Sequence, residues 1–344
     1  GQATFSNAWD SITSANNFVS AWSAGDARVG AQNQGLDGLG LMALDSITTL
    51  TRTAGTFAYV ANQGSASVSV IDTGTNAVSA SIQLGGTPNG VAITPDGSIA
   101  YVTNFGGANI WVVDTVTNTV VDTIPAGAGP IEVVFSPNGS TAYVSNFNSS
   151  NVSVIDAVTS TVVDTIAVGI RPWGVAVTPD GSSVYVSNFG SNSVSVIESD
   201  TNAVVATITV GAGPIGVATD SDGSSVYVAN THSGIVSVID TTSNTVVETV
   251  PVGLTPLGID VTPDGRHAYV ANRGTRDVSV IDTANRTVIA TIPVGTTPVD
   301  VAFTLDGNSA YVTNFGSGNV SVIDTGNNTV VTSVLVGIQP SGVE

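Results

Sequence analysis

Very few side chains in this sequence could do covalent chemistry. His232 and His267 are the only histidines, cysteine is absent, and no Gly-x-Ser-x-Gly elbow marks a serine nucleophile. The two histidines fall in different repeats without a neighbouring ligand pattern, so a zinc centre is not expected. Carboxylates remain. Glu132 and Asp300 stand where the equivalent segments carry glycine, and Asp260 lies two residues past such a glycine. Hard oxygen donors converging on one opening could hold a Ca²⁺ ion, or they could line a solvated channel. Arg171-Pro172-Trp173 is the other departure from pattern. A guanidinium beside an indole could stack on a sugar ring or grip a protein partner.

These residues must be positioned by a repeat. Tyr-Val recurs at Tyr59, Tyr101, Tyr143, Tyr185, Tyr227, Tyr269 and Tyr311, always at a spacing of 42 residues. A fixed period of that length marks a propeller or a solenoid array. Within one period, Tyr269–Asn272, Val278–Asp282, Thr287–Ile292 and Val299–Phe303 are short β-branched runs separated by turn residues. Nothing in the repeat has a helical period. The reading is four antiparallel strands per unit, closed radially with six neighbours into a seven-bladed β-propeller. The strand after each periodic proline (Pro88, Pro130, Pro172, Pro214, Pro256, Pro298, Pro340) is expected innermost, the Tyr-Val strand second, Val-Ser-Val-Ile-Asp third, and Thr-Val-Val outermost.

Tyr101-Val-Thr-Asn104, Tyr311-Val-Thr-Asn314, the Pro-Asp-Gly turns at Pro95, Pro179 and Pro263, and the Val-Ser-Val-Ile-Asp strands resemble the YVTN family of β-propeller repeat proteins. The likeness covers roughly residues 48–344. It implies a secreted or cell-surface protein, surface-layer components included, and names no activity.

Periodic polar residues are read as structural. Asp72, Asp114, Asp156, Glu198, Asp240, Asp282 and Asp324 end the third strand of each unit and are expected to accept hydrogen bonds in the following turn. Asn62 and its equivalents are expected where a turn needs left-handed backbone. For the innermost strand of the seventh blade, Thr48–Thr51 is favoured over the C-terminal Ser341–Glu344.

The domains are read as a non-repeat segment, residues 1–47, and a propeller, residues 48–344. The leading segment carries Phe5, Trp9, Phe18, Trp22, Leu39, Leu41 and Met42. These need a surface to cover, either their own propeller or the next subunit. Its spacing suits a helix slightly better than a degenerate hairpin.

Twenty-six acidic residues oppose seven arginines and no lysine, for a net charge of −19. That field repels nucleic acid and anionic membranes. No apolar run is long enough to span a bilayer. A first residue other than Met suggests a removed signal peptide and an extracellular or cell-surface location. The sequons at Asn138, Asn148, Asn151, Asn285, Asn319 and Asn327 permit N-glycosylation.

The leading expectation is therefore a non-enzymatic extracellular structural protein, self-associating through residues 1–47 into a filament or surface layer, without a cofactor. A secreted module binding a glycan or cell-surface protein at the proline-loop face comes second. A lactonase-like hydrolase comes third. Seven-bladed lactonases share the architecture, but no matching set of acidic and Arg/His residues is evident in the sequence.

Overall fold

Alternating apolar and polar residues in short runs build strands that bury both faces only against other strands. The computed structural model describes residues 56–344. They form twenty-eight strands, β1 to β28 in chain order, in seven four-stranded antiparallel sheets. The first unit contains β1 (Phe57–Asn62), β2 (Ser67–Asp72) and β3 (Ala77–Gln83). Six complete blades follow: blade 2 (Pro88–Pro125), blade 3 (Pro130–Ala167), blade 4 (Pro172–Thr209), blade 5 (Pro214–Pro251), blade 6 (Pro256–Pro293) and blade 7 (Pro298–Leu335). The last strand, β28 (Pro340–Val343), returns to complete blade 1 in the order β28-β1-β2-β3.

The ring is thus closed by the C-terminal strand, which corrects the preference for Thr48–Thr51. Val60 pairs with Val343 and Asn62 with Pro340. Tyr59 N–H donates to the Glu344 carbonyl at 2.8 Å, and Glu344 N–H returns a bond at 3.1 Å. Ser341–Glu344 follows Pro340 and keeps the periodic glycine at Gly342, features Thr48–Thr51 lacks. Thr48–Thr51 and residues 1–47 lie outside the described residues.

Seven buried clusters of mostly Val, Ile, Ala and Tyr hold the ring, one between each pair of adjacent blades. Two polar latches add direction. The buried tyrosines reach into the next blade: Tyr59 donates to Asn118 at 2.9 Å, Tyr185 to Asn244 at 2.9 Å, and Tyr311 to Asn76 at 2.6 Å across the closure. The second latch explains the Thr or Ser of the Tyr-Val-Thr-Asn strand. Thr103, Ser187 and Thr313 donate to the inner-strand carbonyls of Ile131, Ile215 and Ser341 in the next blade at 2.7, 2.5 and 2.6 Å. Each hydroxyl also accepts an inner-strand N–H of its own blade, as from Gly90 at 2.9 Å. Ala61, Ala229 and Ala271 occupy this position in the remaining Tyr-Val-Ala-Asn strands.

The strand-ending aspartates cap their turns as expected: Asp72 and Asp114 accept the N–H of Thr75 and Thr117 at 2.9 and 2.7 Å. Asn62 and its equivalents correct the sequence reading. They are strand residues, largely buried, donating to serines such as Ser69 at 3.0 Å and Ser153 at 2.9 Å. The left-handed backbone falls instead on Asn76, Asn118, Asn202, Asn244 and Asn328, the turn asparagines, several of which receive the tyrosine latch.

Candidate functional site

Each inner strand enters the channel through a bulge. In blade 2, Pro88 pairs with Asn104 and Val91 with Val102, so the inner strand carries one extra residue. Bulges re-aim side chains. Here they hold the variable positions of the channel wall: Asn89-Gly90, Ile131-Glu132, Trp173-Gly174, Ile215-Gly216, Leu257-Gly258 and Val299-Asp300. Glycine is favoured because the next inner strand is so close. A Cβ on Gly174 would sit 2.3 Å from the Ile215 carbonyl oxygen.

The inner strands surround a cavity of about 790 Å³, opening at the proline-loop face. Its wall is chemically divided. Phe105, Phe147, Trp173, Phe189 and His232 form a continuous aromatic arc over blades 2 to 5, with ring centroids 6.3 Å apart for Phe105–Phe147, 5.4 Å for Phe147–Trp173, 6.0 Å for Trp173–Phe189 and 5.3 Å for Phe189–His232. The Arg171 guanidinium lies over the Phe147 ring at 5.5 Å. Blade 6 presents Arg273 and blade 7 Phe315.

Below the arc stand four carboxylates: Glu132 in blade 3, Asp260 in blade 6, Asp300 in blade 7 and Glu344 at the end of β28. Glu132 and Asp300 share one register position. Asp260 and Glu344 share another, two residues or about 7 Å further along the strand. The Glu132 and Asp300 carboxyl groups rest where glycine leaves room: Cβ atoms on Gly90 and Gly258 would meet Glu132 Oε1 at 2.8 Å and Asp300 Oδ1 at 2.5 Å. Asp300 Oδ2 accepts the Val343 N–H at 3.2 Å, which ties it to blade 1. Val133 N–H lies 3.3 Å from Glu132 Oε1, and Val261 N–H 2.8 Å from Asp260 Oδ1.

Glu132, Asp260 and Asp300 are half-buried and Glu344 is exposed to the channel, yet all four are surrounded by the blades that line the cavity. Enclosure disfavours their charged forms, and their mutual repulsion adds to it. Burial pushes Asp300 up to about 6. Burial, then the Asp300 charge, pushes Glu344 up to about 7. Glu132 is raised well above the carboxylate range by burial and then by Asp300 and Glu344. Asp260 is raised in the same way by burial and then chiefly by Glu344. Asp300 and Glu344 are thereby brought toward neutral pH, where proton transfer to and from a substrate is most effective.

The sequence-singled residues divide accordingly. Glu132, Asp260, Asp300 and Trp173 all line the one cavity, with Arg171 stacked at its mouth. The structure does not bring the three carboxylates into a Ca²⁺ ligand set. Glu132 and Asp300 stand three blades apart, Asp260 is further along the channel, and no group of three or more His, Asp or Glu among the described residues is placed to hold a metal ion. Arg266 and Arg273 fall in one repeat but in different settings. Arg273 lines the cavity, whereas Arg266 pairs with Asp264 at 3.7 Å in an exposed turn. Among the sequons, Asn138, Asn148, Asn285 and Asn327 are exposed. Asn151 and Asn319 are strand residues whose side chains accept from Asn146 and Asn314. Phe5, Trp9, Phe18, Trp22, Leu39, Leu41 and Met42, expected at a self-association surface, lie outside the described residues.

Sequence reasoning missed Glu344, the aromatic arc and the place of His232 and Arg273. The residue after each Tyr-Val-x-Asn is Gln63, Phe105, Phe147, Phe189, Thr231, Arg273 or Phe315. That one variable column carries most of the mouth.

Known proteins place this cavity in context. A family model described as "Lactonase, 7-bladed beta-propeller" matches residues 51–250, and a YNCE-like β-propeller model matches residues 205–310. No curated protein matches. Among solved structures, the chain is similar to a hydrazine synthase chain from Kuenenia stuttgartiensis, at 25% identity and a TM-score of 0.71, over 78% of this chain and 92% of that one. It is also similar to two proteins provisionally named 6-phosphogluconolactonase. That from Bacteroides fragilis has 17% identity and a TM-score of 0.71, over 86% of this chain and 99% of the other. That from Bacteroides uniformis has 17% identity and a TM-score of 0.70, over 84% and 98%.

The leading sequence expectation, a non-enzymatic structural protein forming filaments or a surface layer, is corrected by the family match. That expectation rests on finding no matching set of acidic and Arg/His residues in the sequence. The channel's acidic residues come from separate repeats and converge only on ring closure. The lactonase model spans more than half of the sequence, and the chain belongs to the seven-bladed β-propeller lactonase family.

Proposed function

We propose that the protein hydrolyses lactones in its central channel. One observation carries this reading: a family lactonase propeller holds Asp300 and Glu344, raised to about 6 and 7, beneath an aromatic-walled cavity. Two carboxyl groups separated in this way can divide the work near neutral pH, one ionised and one still protonated. Asp300 takes a proton from water as the water oxygen bonds to the lactone carbonyl carbon. The ring C–O bond then breaks, and the ring oxygen leaves as an alcohol with the proton given by Glu344. The product is an open-chain hydroxy acid; Asp300 releases the proton it took to solvent, and Glu344 takes one up. Arg273, on the cavity wall, would balance charge that develops on the carbonyl oxygen.

The test is hydrolysis of δ-valerolactone and dihydrocoumarin followed by proton release. Turnover lost in Asp300→Asn and Glu344→Gln supports the reading. Turnover unchanged in both sinks it.

We further infer that the repeats are of the YVTN kind and that the protein works outside the cytoplasm. The Tyr-Val-Thr-Asn latches and a surface in which charged residues are only 10% of the chain support this. Fractionation of the native host, with the protein found in the cytosol, would refute the location.

A further inference from the structure

The cavity wall restricts which lactone can enter. Of its charged groups, four are carboxylates and one, Arg273, is a guanidinium; Arg171 stands at the mouth, already over Phe147. No lysine exists anywhere in the chain, and the net charge is −19. A phosphate needs bidentate arginines, lysine or a run of free backbone N–H groups. In the blades that carry a Thr or Ser latch, the inner-strand N–H groups at the bulges are occupied instead. Those of Gly90, Gly174 and Asp300 donate to Thr103, Ser187 and Thr313. Those of Val133, Val261 and Val343 donate to Glu132, Asp260 and Asp300. A dianion would face the ionised Asp300 carboxylate and the negative field of the whole chain in a confined space, where such repulsion is poorly screened, and would have one cavity-wall guanidinium, Arg273, to offset it.

The opposite half of the wall offers what an uncharged ring can use. The arc from Phe105 to His232 presents ring faces and edges side by side. Exposed Ile170 and Leu254, at 59% and 65% accessibility, continue the apolar character on the proline loops. Aromatic side chains favour flat or CH-rich substituents through stacking and apolar contact.

Resting on the lactonase reading above, we propose that the substrate is an uncharged lactone bearing an aromatic or aliphatic substituent. The substituent packs on Phe147, Trp173 and Phe189 while the ester reaches the carboxylates. A phosphorylated sugar lactone, the substrate implied by the names of the two Bacteroides proteins, is disfavoured by the same wall.

The experiment compares kcat/KM for dihydrocoumarin, δ-valerolactone and 6-phosphogluconolactone in wild type and Trp173→Ala. Dihydrocoumarin is expected to exceed the phosphorylated lactone by at least ~100-fold, given the strength of like-charge repulsion in such a site. Trp173→Ala is expected to raise KM for dihydrocoumarin by about 10-fold and that for δ-valerolactone by a clearly smaller factor. Equal or faster turnover of 6-phosphogluconolactone overturns the proposal, as does an equal effect of Trp173→Ala on both neutral lactones. If no lactone is turned over, the lactonase reading fails, and calorimetry on the whole chain decides the ligand class separately. Binding of dihydrocoumarin that Trp173→Ala weakens, without binding of 6-phosphogluconate, upholds the class. The reverse pattern refutes it.

Discussion

The molecule carries two populations of carboxylates, and they are treated in opposite ways. Those in the surface turns are stabilised as anions. Asp96 and Asp180 are held below the usual carboxylate range first by the hydroxyls of Thr94 and Thr178, and Asp114 and Asp240 first by the backbone N–H of Thr117 and Ser243. Those in the channel are enclosed by the blades and crowded by one another, and all four are raised. The repeat accounts for the first population, since each turn has the same geometry and the same need for an acceptor. Departures from the repeat make the second. The lesson is that in this ring the acids recurring from blade to blade cap turns, whereas four that depart from the repeat converge on the channel; Asp220, a further departure, stays in its surface turn.

The strongest way to break this comparison is to remove charge from each population in turn. Asp300→Asn or Glu344→Gln is expected to lower kcat/KM for dihydrocoumarin by about 10²-fold or more. Asp156→Asn, in an exposed turn, should leave it within about 2-fold. Equal losses would erase the distinction between the two populations.

A second contrast lies between blades that have the hydroxyl latch and those that lack it. Ser187→Ala leaves the Ile215 carbonyl and the Gly174 N–H without that partner and should cost about 1–3 kcal/mol in urea unfolding. Ala229→Ser places a hydroxyl in the equivalent position and should gain about 0.5–1 kcal/mol. A neutral Ser187→Ala would show that the latch adds nothing beyond packing.

The two populations also act oppositely on stability as pH changes. A carboxyl group raised by folding binds more protons in the native than in the unfolded state between its ordinary value and its folded value. Stability contributed by the channel is therefore full below the ordinary carboxylate value, falls as pH rises above it, and is fully lost once pH passes about 6 to 7. The lowered turn aspartates do the reverse, and their contribution is lost as pH falls below the ordinary carboxylate value. The melting temperature should peak near pH 4 and fall from there to about pH 7. Asp300→Asn should raise it by about 2–4 °C at pH 8, by less at pH 5, and change it little below about pH 4. The closure latch has a smaller effect. Tyr311→Phe removes one hydrogen bond to Asn76 and should cost about 1 kcal/mol.

Much of the fold was legible because every element is stated seven times. A proline before each inner strand, a tyrosine in the second and an aspartate ending the third each recur at one spacing, so chance matches are averaged away. The ring closure was misjudged because Ser341–Glu344 is short, although Pro340 and Gly342 carry the inner-strand pattern. The site was half legible. Glu132, Asp300 and Asp260 stood out against the periodic residues around them. Glu344 did not, because it ends a strand that was not assigned. The aromatic arc escaped notice because Phe105, Phe147 and Phe189 stand 42 residues apart in a variable column, while Trp173 and His232 lie outside it, and only the packed blades bring the five rings side by side.

The most direct measurement is the pH–rate profile for dihydrocoumarin hydrolysis in wild type and in the Asp300→Asn/Glu344→Gln double variant. A carboxylate centre predicts a wild-type rate governed by apparent pKa values near 6 and 7, and a double variant that has lost both limbs with at least ~10²-fold of the rate. A wild-type rate that simply follows hydroxide concentration, matched by the double variant at every pH, would contradict it.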